Sequence, residues 1–246
     1  MALSLAAGLA SSADYLIICA GQSNMDGRGA VAELTPAQQA VPPNVRYYYR
    51  PSTERPEPEK TFAHRDQFGP ATMLAHRLAQ ARPNDTFIIV LNAKGGTALS
   101  EWVSDYEAPG VPIAAKRGAH GHLYEDMLPR IKAVRAAHPN ARPLALVWLQ
   151  GEADKGPLGP FYLANLKRLA ANMRRDTATK DLLVVTAEPT SGAPEVFTAL
   201  RDFVKGDANA ALVECRSLGR TLHYDAPALL TIGERCADAV LSVIAK

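Results

Sequence analysis

The stretch Tyr15–Gly29, "YLIICAGQSNMDGRG", decides how the rest of the chain is read. Its first half is an apolar, partly β-branched run of the length of a buried strand. Its second half leaves that strand through Gly21 and Gln22 and places a lone hydroxyl, Ser23, where the backbone turns. Similar runs recur at 86–93 ("TFIIVLNA"), 143–150 ("PLALVWLQ") and 182–189 ("LLVVTAEP"), with a weaker one at 209–215 ("NAALVEC"). Segments with helical spacing separate or follow them, at 69–83, 123–139, 159–176, 194–206 and 228–246. Alternating strands and helices predict an α/β fold, a three-layer αβα sandwich around a central parallel sheet of about five strands. Right-handed crossovers bring every strand's C-terminal end to one edge, and ligands of open α/β sheets bind beyond that edge.

The chain has 246 residues, 47% hydrophobic and 21% charged, with a formal net charge of +2. That suits a single domain spanning 14–246. Acids and bases are interspersed, without the basic stripe that nucleic-acid binding requires. No run approaches the roughly 18 apolar residues of a membrane-spanning helix, so neither nucleic acid nor membrane insertion is expected. Residues 1–13, "MALSLAAGLASSA", read as the later part of a signal peptide or as an added tail. The first reading favours a secreted or periplasmic protein, the second a cytoplasmic one. Cys215 and Cys236 are candidates for a pair in an exported protein, whereas Cys19 reads as a small core hydrophobe.

Two segments lack periodicity. The proline- and tyrosine-rich stretch 41–67 is expected to be an irregular excursion, and 105–121 is a second loop of similar character. The informative text follows the strands. After the first comes Gly21-Gln22-Ser23-Asn24; after the second, Lys94-Gly95-Gly96-Thr97; after the third, Gln150-Gly151-Glu152-Ala153-Asp154. A paired-glycine turn lets backbone amides approach an anion. Together the three ends supply a hydroxyl nucleophile, backbone donors and a side-chain amide. Serine needs an adjacent base. His64, His76 and His138 read as solvated, and His120 and His122 lack the further ligands a metal site would need, so no metal and no cofactor is expected. His223, just before the last helical segment, returns to the edge that holds Ser23.

Five blocks in order, "GQSNMDGRG", "FGPATMLAHRLA", "KGGTALSEW", "WLQGEAD" and "LHYDAPALLTIGERCADA", resemble the SGNH hydrolases, specifically the sialate O-acetylesterase and carbohydrate esterase family 6 branch. The resemblance spans most of the chain and implies a flavodoxin-like fold. It also implies Ser23 as nucleophile, His223 as general base, and an oxyanion hole made by the amides of Ser23 and Gly96 and the side chain of Gln150. The family usually carries an acid three residues before the histidine; here Arg220 stands there. Glu152 is the expected replacement, with Asp154 and Asp225 in reserve.

The activity implied is serine-dependent removal of O-acetyl groups from an acetylated carbohydrate such as acetylxylan or sialic acid. Gln22, Asn24, Thr97, Trp102 and Asp154 are candidate substrate contacts, and Trp102 with Tyr47, Tyr48 and Tyr49 are candidate platforms for sugar rings. A broad short-chain carboxylesterase is one alternative. A carbohydrate-binding module with weakened catalysis, suggested by Arg220, is the other.

Overall fold

A computed structural model describes residues 12–104, 121–219 and 221–244. Residues 1–11 of the signal-like segment, the loop 105–120 and Arg220 lie outside the described residues. The strands are β1 (Asp14–Gly21), β2 (Gly29–Ala30), β3 (Val45–Tyr49), β4 (Gln67–Phe68), β5 (Thr86–Ala93), β6 (Arg142–Leu149), β7 (Leu183–Ala187) and β8 (Ala210–Val213). The α-helices are α1 (Ser23–Asp26), α2 (Pro36–Gln39), α3 (Ala71–Ala81), α4 (Leu123–Ala137), α5 (Tyr162–Asp176), α6 (Pro194–Gly206) and α7 (Ala226–Ile244).

Six strands form one sheet in the order β3-β5-β1-β6-β7-β8, and every pairing in it is parallel. β2 and β4 make a small antiparallel ribbon. Apolar residues run continuously along the central strands because both faces of the sheet are covered. Strand periodicity then divides them between two cores. Ile17 and Cys19 of β1 join Leu74 and Leu78 of α3 and Leu229 and Ile232 of α7. Leu16, Ile18 and Ala20 join Met127 of α4, Leu166 of α5 and Leu200 of α6.

Among the described residues the sheet has six strands, in keeping with the parallel sheet of about five that was expected. The sixth, β3, lies within the stretch expected to be irregular: Val45–Tyr49 pairs with Phe87–Leu91 at the sheet edge. Its prolines, Pro42, Pro43, Pro51, Pro56 and Pro58, fall on either side of the strand and not within it, and Tyr47 and Tyr48 alternate into the two cores. Tyr47 and Tyr48 are therefore buried and are not sugar platforms. His64, His76 and His138, expected to be solvated, are partly buried as well. His64 stacks on Tyr49 with ring centroids 3.6 Å apart, and burial pushes its pKa down to about 4. His138 Nε2 lies 2.7 Å from the Tyr48 hydroxyl. All three cysteines are buried free thiols, so Cys215 and Cys236 do not pair.

No helix among the described residues is long and apolar enough to cross a membrane.

β1 is where the winding reverses. The chain goes from β1 to β3 on one side, then crosses from β5 over β1 to β6 on the other. Gly21 is in register with Ala93 of β5 and Leu149 of β6, so three loops leave the sheet side by side at the topological switch point.

Candidate active site

Ser23 opens α1 one residue beyond Gln22, whose amide donates to the Leu149 carbonyl across the end of β6. Gly21 makes this exit possible. Its φ is +146°, and a Cβ there would sit 2.1 Å from the Leu149 carbonyl oxygen, so no other residue fits. The turn directs the Ser23 hydroxyl toward His223, whose Nε2 lies 3.0 Å from Ser23 Oγ. Burial, and secondarily the Arg28 cation, pull the His223 pKa below its ordinary 6.5. The imidazole is consequently neutral near pH 7, the state in which it can accept a proton.

The Gly95-Gly96 turn comes close to the nucleophile. A Cβ on Gly95 would lie 3.5 Å from the Ser23 Cβ and 3.3 Å from Arg28 Nη2. Gly96 has φ +74° with open space around its missing Cβ. Neither the Ser23 nor the Gly96 amide donates to a protein acceptor among the described residues. Thr97 Oγ1 closes the turn by donating to the Lys94 carbonyl at 2.8 Å and accepts the Trp102 indole N–H at 3.0 Å.

Gln150 is placed differently from its expected part in an oxyanion hole. It is fully buried, and its Nε2 donates to the Thr97 carbonyl at 2.8 Å and to Asp154 Oδ2 at 2.5 Å. Both amide hydrogens are thereby committed to tying the third loop to the second, and none is left for an oxyanion. Asp154 completes the tie by accepting from the Leu99 amide at 3.1 Å.

The carboxylates also differ from expectation. None of Glu152, Asp154 and Asp225 touches the His223 ring; among the described residues its one hydrogen-bond partner is Ser23. Asp225 Oδ1 caps α7 by accepting from the Ala228 amide at 3.0 Å. Glu152 Oε1 accepts from Asn24 Nδ2 and from the Thr190 amide. Asn24 in turn grips the chain on both sides of the histidine. Its Oδ1 accepts from the Tyr224 amide at 3.0 Å, and its Nδ2 donates to the Leu222 carbonyl at 3.3 Å. Thr190 Oγ1 donates to the same carbonyl at 2.8 Å. Among the described residues Glu152 is linked to His223 indirectly, through Asn24 and Thr190 and the loop they hold.

Of the candidate substrate contacts, Asn24, Thr97 and Asp154 are buried braces whose polar groups are spent within the protein. Gln22 is buried too, its Oε1 without a hydrogen-bond partner. Trp102 is buried, packs edge-on against Trp148 and lines a neighbouring cavity. Of the histidines considered for a metal, His122 precedes α4 with its Nδ1 3.9 Å from Glu125, and His120 lies outside the described residues. Among the described residues no group of three or more His, Cys, Asp or Glu side chains is placed to hold a metal.

Arg28 is the residue that sequence reasoning overlooked. It stands in the opening stretch, but its relation to the site depends on a fold-back through Asp26, which pairs with Arg28 at 3.1 Å and Arg50 at 3.3 Å and accepts from the Tyr49 hydroxyl at 3.0 Å.

Burial raises the Glu152 carboxyl above its usual range and pushes Asp154 up from 3.8 to about 7, against the hydrogen bonds that Asp154 receives from Gln150 and Leu99. A folded pKa above the unfolded one means that the native state binds more protons between these values. The associated stability is present at low pH and is lost as pH rises through about 7. Asp154→Asn cannot ionise, so its melting temperature relative to the parent protein should move in the variant's favour between pH 5 and pH 8. A difference that does not change with pH would show that Asp154 ionises in place without cost.

The family model described as carbohydrate esterase, sialic acid-specific acetylesterase, matches residues 13–242. A probable carbohydrate esterase of Arabidopsis thaliana is 27% identical over 93% of this chain and 91% of its own length. An X-ray structure of the Arabidopsis protein superposes with a TM-score of 0.75, at 25% identity over 94% of this chain and 98% of that one. A carbohydrate acetylesterase from Xanthomonas citri shares the fold at 18% identity with a TM-score of 0.72, covering 93% of this chain and 56% of that one. NanS does so at 19% identity and 0.67, covering 95% and 99%.

Proposed function

Because the chain belongs to the carbohydrate esterase family described as sialic acid-specific acetylesterases, we propose that it removes O-acetyl groups from a carbohydrate through a covalent acetyl-enzyme on Ser23. The contact that carries this reading is the one between His223 Nε2 and Ser23 Oγ, 3.0 Å apart. His223 takes the hydroxyl proton as Ser23 Oγ attacks the acetyl carbonyl. The Ser23 and Gly96 amides are the donors proposed for the oxyanion, a contribution worth about a hundred- to a thousandfold in rate per donor. His223 then returns the proton to the departing sugar oxygen. Water, deprotonated by the same imidazole, releases acetate and restores Ser23.

In this scheme Glu152 is a positioning residue. It holds Asn24, and Asn24 holds the loop that carries His223. Release of acetate from 4-nitrophenyl acetate and acetylated xylan, together with covalent labelling of Ser23 by a serine-directed phosphonate, tests the proposal. Glycan affinity without acetate release or labelling would instead identify a binding module.

Arg28 supplies a second, independent readout. The base form of His223 is required, so kcat/KM should rise with pH through the His223 pKa, below 6.5. Replacing Arg28 with glutamine removes a cation that disfavours the imidazolium. The acid limb of the profile should therefore move to higher pH, leaving the variant weaker relative to the parent at pH 5 than at pH 8. An unmoved limb would mean that another group sets the profile.

A further inference from the structure

Just beyond β7 the chain places a buried carboxylate, Glu188, that bonds to neither Ser23 nor His223 among the described residues. Its amide donates to the Val213 carbonyl at 3.1 Å, and Oε1 accepts from Arg201 Nη2 at 3.2 Å. Oε2 accepts from the amides of Cys215 at 3.2 Å and Arg216 at 3.1 Å. These bonds fasten Glu188 to the end of β8, to the turn that follows it and to α6. The Glu188 carbonyl faces the loop of the base, where it accepts from the Tyr224 hydroxyl at 2.8 Å and from the Cys215 thiol at 3.2 Å. Tyr224 directly follows His223 and is 1% exposed. Its ring belongs to the core that holds Leu229 and Cys236 of α7. A Cβ on Gly219 would sit 3.1 Å from that ring, so the chain closes tightly over it. Burial pushes the pKa of the Tyr224 hydroxyl up, and the hydroxyl therefore keeps its proton and stays a donor.

We infer that Tyr224 is a positioning residue for the general base, its hydroxyl anchoring the His223 peptide to the Glu188 carbonyl so that the imidazole stays within reach of Ser23. Among the described residues no carboxylate touches the His223 ring, so the backbone that carries the ring must set its direction. Before the histidine, Asn24 and Thr190 hold the Leu222 carbonyl. After it, the Tyr224 amide is held by the same Asn24 side chain. Bonds gathered on one side chain leave a peptide free to turn about it. The Tyr224 hydroxyl adds a point of attachment on another strand end, and the stiff, close-packed ring transmits it to the backbone. The anchor is firm because Glu188 is itself tied at its amide and at both carboxylate oxygens. The inference rests on the esterase reading and adds the group that orients the base where no acid does so directly.

Tyr224→Phe keeps the ring in its buried place and removes only the hydroxyl. Its kcat for 4-nitrophenyl acetate is expected to fall about tenfold, the loss of one hydrogen bond felt at the reacting group. KM should stay nearly the same, because the group removed lies in the core and not against substrate. The imidazole, less closely held, becomes better solvated, so its depressed pKa should move up toward 6.5 and carry the acid limb of kcat/KM with it. Ser23 and the Arg28 cation, which face the ring among the described residues, are the same in both proteins. Cys215→Ala is the control. It removes the other donor to the Glu188 carbonyl from the same buried cluster without touching the loop, and should lower the melting temperature while kcat and the acid limb stay parental. Thermal melting reports that both variants are folded. Parental kcat and an unmoved acid limb in Tyr224→Phe would overturn the inference. So would an equal loss of kcat in Cys215→Ala, since activity would then follow core stability. The two readings fail separately. A parent protein that releases no acetate overturns the esterase, whereas NMR titration of the His223 imidazole, which needs no turnover, decides for the anchor if Tyr224→Phe raises its pKa and against it if the pKa is unchanged.

Discussion

Ser23→Ala is expected to lower kcat/KM for 4-nitrophenyl acetate by about 10⁴-fold or more, and His223→Ala by a similar factor. The double variant should be little worse than either single one. Nucleophile and base act as a unit: without the hydroxyl there is nothing for the imidazole to deprotonate, and without the imidazole the hydroxyl stays a weak nucleophile at its own pKa. Residual hydrolysis would come from the backbone donors alone. Circular dichroism should show both variants folded, because among the described residues the Ser23 side chain makes a single hydrogen bond, to His223, and the ring of His223 is only partly buried. Losses that multiply in the double variant would mean that the two residues act in separate steps and would remove the pair from the centre of the mechanism.

Glu152→Ala should cost about a hundredfold in kcat/KM, while Glu152→Gln retains most of the rate. The alanine variant frees Asn24 Nδ2 and the Thr190 amide of their common acceptor, and the Leu222–Tyr224 segment loses its fixed relation to Ser23. A displacement of about 1 Å at a reacting group is worth about that factor. Glutamine keeps a carbonyl oxygen in the Oε1 position and removes only the charge. The pH profile provides the readout that a merely structural role would not move. If Glu152 acts through position, the acid limb set by His223 should be nearly the same in the parent and the glutamine variant. A glutamine variant as impaired as alanine would show that the negative charge itself stabilises the imidazolium, as an acid paired directly with the ring would do.

The parts of the fold that were legible in the sequence are those whose burial is local and periodic. The runs at 15–20, 86–93, 143–150 and 182–189 are apolar on both faces and announce central parallel strands without reference to their neighbours. β3 was not legible because its pattern, Val-Arg-Tyr-Tyr-Tyr, mixes polar atoms into a strand whose burial comes from elements far along the chain, including His138 against Tyr48. The blocks around Ser23, Gly96, Gln150, Glu152 and His223 were identifiable as a set. What each side chain bonds to was not.

From the sequence alone follow the layered α/β architecture, the convergence of three strand ends, and a serine and a histidine returned to one edge, because hydrophobic period and crossover handedness are properties of the chain itself. Only the tertiary structure decided that Gln150 and Asp154 fasten one loop to another and that Glu152 reaches His223 through Asn24. It also decided that the Tyr224 hydroxyl is anchored on the Glu188 carbonyl. A side-chain amide or carboxylate has the same name whichever partner it finds. The choice among partners is made by which backbone groups packing brings within about 3 Å and which it shuts away from water.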